Sequence, residues 1–284
     1  MKHVVRISDG MGNQMFQYAF AYALMRKTKC EVLIDPLFWG TSLRNYSLDN
    51  FNISITRRLV SPQLDYILGA GPRNGRRFKD LYRQHLIKKH FNVVTEKKIM
   101  NYDSDVMIQD TDSFFDGFWQ TPLYFDDYRD EIKREFRPCW KLSEKANGYL
   151  DTICDSKSSV AIHIRRTDYV RNVGNAAVNL DYYRKALDFL KERVEDFRLF
   201  VFSDDKEFVK NTFKLCKYTI VENVTDLDEF EIMKMCKHKI VANSTFSWWA
   251  AYLGSDDGLV ISPKVGIWGD DFYPESWHKI DANT

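Results

Sequence analysis

Three short apolar runs in the second half of the chain break off in polar clusters, and this constrains the fold more than any other feature. Val160-Ala161-Ile162 leads into His163-Ile164-Arg165-Arg166-Thr167-Asp168. Leu199-Phe200-Val201-Phe202 leads into Ser203-Asp204-Asp205, and Lys239-Ile240-Val241-Ala242 into Asn243-Ser244-Thr245-Phe246-Ser247. Helical stretches separate the runs. Leu180 to Glu195 carries Tyr183, Ala186, Leu187 and Leu190 at three- and four-residue spacing, and further helices are expected over 205–214, Asp226 to Cys236 and 246–253. Tyr218 to Val221 and Leu259-Val260-Ile261 read as additional strands. Strands alternating with helices predict a parallel sheet covered on both faces. Parallel strands share one carboxyl edge, where open α/β sheets bind ligands. Three separate stretches therefore converge on one edge.

The first half opens with the same plan. Residues 3–7 read as a strand, Ser8-Asp9-Gly10-Met11-Gly12-Asn13-Gln14 as a turn, and Met15 to Leu24 as a buried helix. Two glycines allow close approach of a ligand to the backbone, and a helix start offers N–H groups to an anion. The Gly-x-Gly turn is shorter than the dinucleotide fingerprint, so it predicts no nicotinamide site. Val32-Leu33-Ile34 is a second strand. Phe114 to Gln120 is an aromatic strand that can serve either core packing or stacking on a sugar ring, and 123–136 looks helical. The basic run over 73–98 reads first as a solvated face, with contact to an anionic membrane surface as the minor alternative. A polar stretch over 138–158 marks the expected division between domains 1–150 and 151–284.

The 284 residues suffice for two domains, and 44% hydrophobic residues can build their cores. With 41 basic and 40 acidic side chains the net charge is +1, so any electropositive site must be local, and no nucleic-acid partner is indicated. Five cysteines without a CxxC pair give neither a disulfide framework nor a zinc site. Without a long apolar run near the amino terminus or elsewhere, the chain reads as cytoplasmic.

Arginine at a strand end suits a diphosphate, because its planar fork donates two parallel hydrogen bonds. Adjacent strand residues point to opposite faces, so Arg165 is expected to face the ligand and Arg166 to pair with a carboxylate. Ser244, Thr245 and Ser247 can cradle an anion at a helix start, or simply cap it. Asp204 can take a guanine edge or a ribose hydroxyl, or it can cap the following helix. The adjacent acids Asp204 and Asp205 do not have the spaced Asp-x-Asp form that often holds a diphosphate-bound Mg²⁺, so no metal is expected. Asp9-Gly10-Met11 does not supply the nucleophile of a phosphohydrolase.

These motifs together resemble the α-1,2-fucosyltransferases of glycosyltransferase family 11. The resemblance rests on Gly10-Met11-Gly12-Asn13-Gln14-Met15-Phe16-Gln17-Tyr18-Ala19, His163 to Tyr169, Phe202 to Asp205 and Asn243 to Ala250, and runs to about residue 263. It implies a GT-B-type α/β fold of two Rossmann-like domains facing across a cleft. The amino-terminal domain would take much of the acceptor. The carboxy-terminal domain would hold GDP, and the tail could pack back on the first domain. It implies transfer of L-fucose, with inversion and without a metal or other cofactor, from GDP-β-L-fucose to the 2-hydroxyl of a terminal β-galactose. A bacterial surface polysaccharide or lipid-linked glycan would be the acceptor, and the protein could sit peripherally at the inner face of the inner membrane. Carried onto this chain, Arg165 contacts the donor phosphates and His163 and Asp204 lie near the nucleoside. Ser203, Asn243, Ser244, Thr245 and Ser247 line the same pocket, while Gly10, Gly12, Asn13 and Gln14 approach from the other domain. The base is open: Asp168 either accepts the proton or fixes one of the arginines, and Asn13 orients the acceptor.

Overall fold

A computed structural model describes residues 1–36, 45–56, 84–166, 178–266 and 268–282. The chain divides into two compact units, Met1–Trp140 with Gly269–Phe272, and Lys141–Trp268 with Tyr273–Thr284.

The first unit holds a sheet of β1 (Lys2–Arg6), β2 (Glu31–Asp35), β3 (Asn92–Thr95) and β4 (Ser113–Asp116), in the order β2-β1-β4-β3 and parallel throughout. Helix α1 (Met11–Thr28) follows β1. It is buried almost all round from Gly12 to Leu24, so no polar face breaks its apolar run. It ends where Lys29 turns left-handed (φ 57°) and donates its N–H to the Met25 carbonyl. Phe20 stacks on Trp119 with ring centroids 4.5 Å apart, and Phe114, Phe115 and Trp119 are all core residues. The aromatic run thus packs the core at these positions, and the strand stops at Asp116. The stretch 123–136 forms two 3₁₀ turns and then α2 (Arg129–Glu135).

His3 on β1 is fully buried, with its ring edge-on to Phe115 and neither ring nitrogen hydrogen-bonded. Burial holds its pKa below the ordinary value, outweighing the attraction of Asp112. The folded chain therefore favours neutral His3. Its cost to stability is least above the unfolded pKa and grows as the pH falls through it toward the folded pKa. His3→Leu, which removes two unsatisfied nitrogens at similar volume, is expected to stabilise the protein by about 1–3 kcal/mol. Urea unfolding should show a larger gain at pH 5 than at pH 8; an equal or smaller gain at pH 5 would refute the assignment.

The second unit begins with α3 (Glu144–Cys154), inside the stretch that sequence reading left as a polar boundary. Only Ala146 and Ile153 of this helix are buried, which explains its weak apolar signal. Six parallel strands follow: β5 (Ser159–Ile164), β6 (Arg198–Ser203), β7 (Thr219–Ile220), β8 (His238–Ile240), β9 (Val260–Lys264) and β10 (His278–Asp281), in the order β10-β9-β8-β5-β6-β7. The connecting helices are α4 (Leu180–Lys191), α5 (Lys206–Thr212), α6 (Asp226–Met235) and α7 (Thr245–Tyr252). Helix α4 buries Tyr182, Tyr183, Ala186, Leu187 and Leu190 against Val160, Ile162, Leu199, Val201 and Ile261. A leucine buried this way contributes about 1.5–3 kcal/mol. Among the described residues no helix is long and apolar enough to cross a membrane.

Candidate active site

The strand order locates the site. From β5 the chain builds outward through β6 and β7, then returns to the other flank of β5 with β8, β9 and β10. The topological switch point lies between β5 and β8, where open parallel sheets leave a crevice beyond their carboxyl ends. The three polar clusters follow β5, β6 and β8, which are neighbours in the sheet. The His163 ring sits 5.9 Å from that of Phe246 in the first turn of α7, so the β5 and β8 ends meet.

Both arginines lie past the end of β5, so strand alternation does not decide their directions. Each reaches toward β6. Arg165 Nη1 is 3.2 Å from Asp204 Oδ2, and Arg166 Nε is 3.6 Å from Asp205 Oδ2. Asp204 Oδ1 also accepts the Arg166 backbone N–H at 2.9 Å. The Arg166 guanidinium lies 3.5 Å from the centroid of the Phe208 ring, a cation–π contact that sequence reading could not anticipate. Arg166 thus packs on α5 and pairs with a carboxylate that is partly exposed rather than buried. Asp205 caps that helix, its side chain accepting the Phe208 N–H at 3.0 Å. Asp204 is left to hold Arg165.

His163 is buried, and its Nδ1 has no hydrogen-bond partner. Burial first, and the neighbouring Arg165 charge second, push its pKa down to about 4, against a smaller opposing effect of Asp204. A neutral imidazole here can hydrogen-bond a nucleoside but cannot neutralise a phosphate, and it is too weak a base to take a hydroxyl proton efficiently near neutrality. Tyr183 donates its hydroxyl to the His163 carbonyl at 3.0 Å and fixes the strand end.

Several expected ligand-facing residues turn inward instead. Ser203 is buried; its Oγ donates to the Ile164 carbonyl at 2.8 Å and accepts the Asp205 N–H at 3.0 Å, tying β6 to β5. Ser247 is fully buried and donates to the Ser244 carbonyl at 3.2 Å. Gln14 donates to the carbonyls of Asp9 and Asn45 and accepts the Ser47 N–H, so its amide is spent on the backbone. Gly12 lies buried within the first turn of α1. These hydroxyls and this amide are engaged with the backbone and position the loops. Asn243 is also buried. Ser244 precedes α7 in extended conformation and makes no side-chain cap bond, and Thr245 begins the helix. The first N–H groups of that helix have no partner within the helix, as at any helix start. Gly10 caps α1, and a Cβ added to it would meet nothing within 4 Å. Asp168 lies outside the described residues. Among the described residues no group of three or more His, Cys, Asp or Glu side chains could hold a metal ion.

The comparisons agree with this architecture. The chain is similar in fold to a structure of Arabidopsis thaliana FUT1 in complex with GDP, with a TM-score of 0.52 at 14% identity over 96% of this chain and 75% of that one. Two parallel α/β units of this kind belong to the GT-B fold class. Residues 76–279 match the model of glycosyl transferase family 11, and the chain belongs to that family. The O-antigen biosynthesis glycosyltransferase WbnK of Escherichia coli is 32% identical over 93% of this chain and 95% of its own length. An α-1,2-colitosyltransferase of the same species is 30% identical over 98% of both chains.

Proposed function

We propose that the protein is an inverting galactoside α-1,2-fucosyltransferase, moving L-fucose from GDP-β-L-fucose to the 2-hydroxyl of a terminal β-galactose. The observation that carries the reading is Arg165 past the end of β5 at the switch point, held by Asp204 on the β6 side, while the start of α7 follows β8 on the other flank. In the reaction the galactose oxygen attacks the anomeric carbon from the side opposite the diphosphate. The new C–O bond forms as the bond to the phosphate oxygen breaks. GDP departs with the electron pair, and the hydroxyl proton passes to a base. Arg165 and the α7 start stabilise the charge growing on the leaving phosphate. His163, neutral and buried, meets the nucleoside. Asp168 is assigned the proton, since it is the carboxylate that follows the β5 strand end in the sequence. Donor and acceptor need only be held in line, and we propose that no metal or other cofactor takes part.

The involvement of WbnK in O-antigen biosynthesis supports an O-antigen glycan as the acceptor class; the proposal extends to a lipid-linked acceptor and to a protein working in the cytoplasm, peripherally at the inner face of the inner membrane. The colitosyltransferase relative favours a second reading with the same linkage and a different donor sugar. Purified protein incubated with GDP-fucose and lactose, with and without EDTA, is expected to yield fucosylated lactose in both. Absence of any fucosylated β-galactoside would overturn the fucosyl reading. Transfer from GDP-colitose alone would establish the second. Loss of activity in EDTA would overturn only the metal-free step.

A further inference from the structure

The first unit has a switch point of its own, between β1 and β4: from β1 the chain moves out to β2, then returns through β3 to β4 on the other flank. Two loops leave it, 7–10 after β1 and 117–121 after β4. The second loop is held unusually firmly. Glu96, just past β3, accepts the N–H groups of Phe118 at 2.6 Å and Trp119 at 3.1 Å. Gln17 of α1 accepts the Ser8 N–H at 2.7 Å and donates to the Gly117 carbonyl at 3.1 Å, joining the two loops. A Cβ on Gly117 would fall 2.8 Å from the Trp119 ring and 2.9 Å from Glu96, so only glycine fits. Trp119 is left-handed (φ 56°), a costly conformation for a bulky residue, and one that persists only where its surroundings impose it. The Thr121 N–H then closes on the Trp119 carbonyl at 2.9 Å, a tight turn centred on Gln120. The result of all this bracing is one contact: Gln120 Nε2 donates to Asn13 Oδ1 at 3.0 Å.

We infer that Gln120 is a positioning residue that fixes the amide of Asn13 so that its Nδ2–H₂ group donates to a hydroxyl oxygen of the acceptor sugar. Gln120 is buried and Asn13 half-buried, so the pair has one inner and one outer end. With Oδ1 committed to Gln120, only the amide nitrogen of Asn13 can face a ligand, and among the described residues it has no partner. An N–H donor directed at the attacking hydroxyl would draw electron density from that oxygen and make it a poorer nucleophile. The contact is therefore to a neighbouring hydroxyl, which anchors the ring while the attacking oxygen stays uncommitted. The role of the sugar as acceptor rests on the function proposed above; the orientation of Asn13 does not.

The substitutions separate this from a purely structural contact. Asn13→Asp keeps an oxygen for Gln120 and replaces the outward donor by a carboxylate oxygen that can only accept. It is expected to raise KM for lactose about ten- to thirtyfold while KM for GDP-fucose stays within about twofold. Gln120→Ala, which frees the amide to rotate, should shift the same parameter in the same direction. Asn13→Asp with wild-type lactose kinetics, or Gln120→Ala acting on the donor KM instead, would overturn the inference. The Asn13 side-chain amide signals in ¹⁵N correlation spectra provide a readout that needs no turnover. They are expected to move on titration with lactose in the presence of GDP, and to stay unmoved in Gln120→Ala. Shifts without turnover would count against fucosyl transfer and support the pair. Turnover without shifts would support transfer and refute the pair.

Discussion

Arg165→Ala is expected to lower sugar transfer by about 10²–10⁴-fold while leaving a folded protein. The two parts of that expectation come from different magnitudes. The ion pair with Asp204 is partly exposed, with side-chain exposures of 24% and 17%, so losing it costs folding no more than about 1 kcal/mol. The diphosphate gains up to a full negative charge as the bond to the sugar breaks, and a preformed guanidinium beside it acts at its strongest in a site that excludes water. The same group therefore matters little to stability and greatly to turnover. Arg165→Lys keeps the charge but not the fork, and should recover only part of the rate. Release of GDP from GDP-fucose in the presence of lactose measures both variants, and thermal melts show whether they fold. An alanine variant with wild-type turnover would remove Arg165 from the leaving-group site. A variant that melts far below the wild type would show instead that the pair is structural.

The carboxyl edge of the second sheet was legible because each contributing strand is a mainly apolar run that stops at a polar cluster. The strands at 160, 199 and 239 fall where their patterns put them, and adjacency in the sheet brings their ends together. What the pattern could not supply is the direction of each side chain beyond the strand. Arg165 and Arg166 both turn toward β6, because Asp204 and Asp205 wait there, 39 residues from each arginine in sequence and unconnected to it by any local rule. Ser203 and Ser247 look like ligand hydroxyls in a motif, yet each finds a backbone carbonyl within reach and is buried. In the first unit β3 was missed. Asn-Val-Val-Thr is only four residues long, lies at the sheet edge and follows a basic run. Gln120 was quoted as the polar end of an aromatic strand; its meaning depends on Glu96, Gln17 and a left-handed Trp119, none of which is periodic.

Asp204→Ala should impair both folding and transfer, and the ratio of the two effects tests how the β5–β6 edge works. Asp204 accepts from both the Arg165 guanidinium and the Arg166 backbone N–H. Removing it leaves a backbone donor without its acceptor and two neighbouring guanidiniums with one carboxylate fewer between them. The Arg166 N–H is exposed and can turn to water, so the loss should cost about 0.5–1.5 kcal/mol of stability. It should also let Arg165 leave the position where phosphate meets it, lowering transfer by about a hundredfold. Ser203→Ala provides the comparison. It breaks hydrogen bonds to Ile164 and Asp205 at the same edge, so it should lose a similar amount of stability. It leaves Asp204 and Arg165 paired, so transfer per folded molecule should remain within about threefold of wild type. Asp204→Asn falls between them, because an amide oxygen can still accept the Arg166 N–H but brings no charge to Arg165. Urea melts and GDP release on the three variants give a two-dimensional result. If Ser203→Ala and Asp204→Ala lost transfer in equal proportion, general loosening of the edge would account for both, and Asp204 would have no part in aiming Arg165.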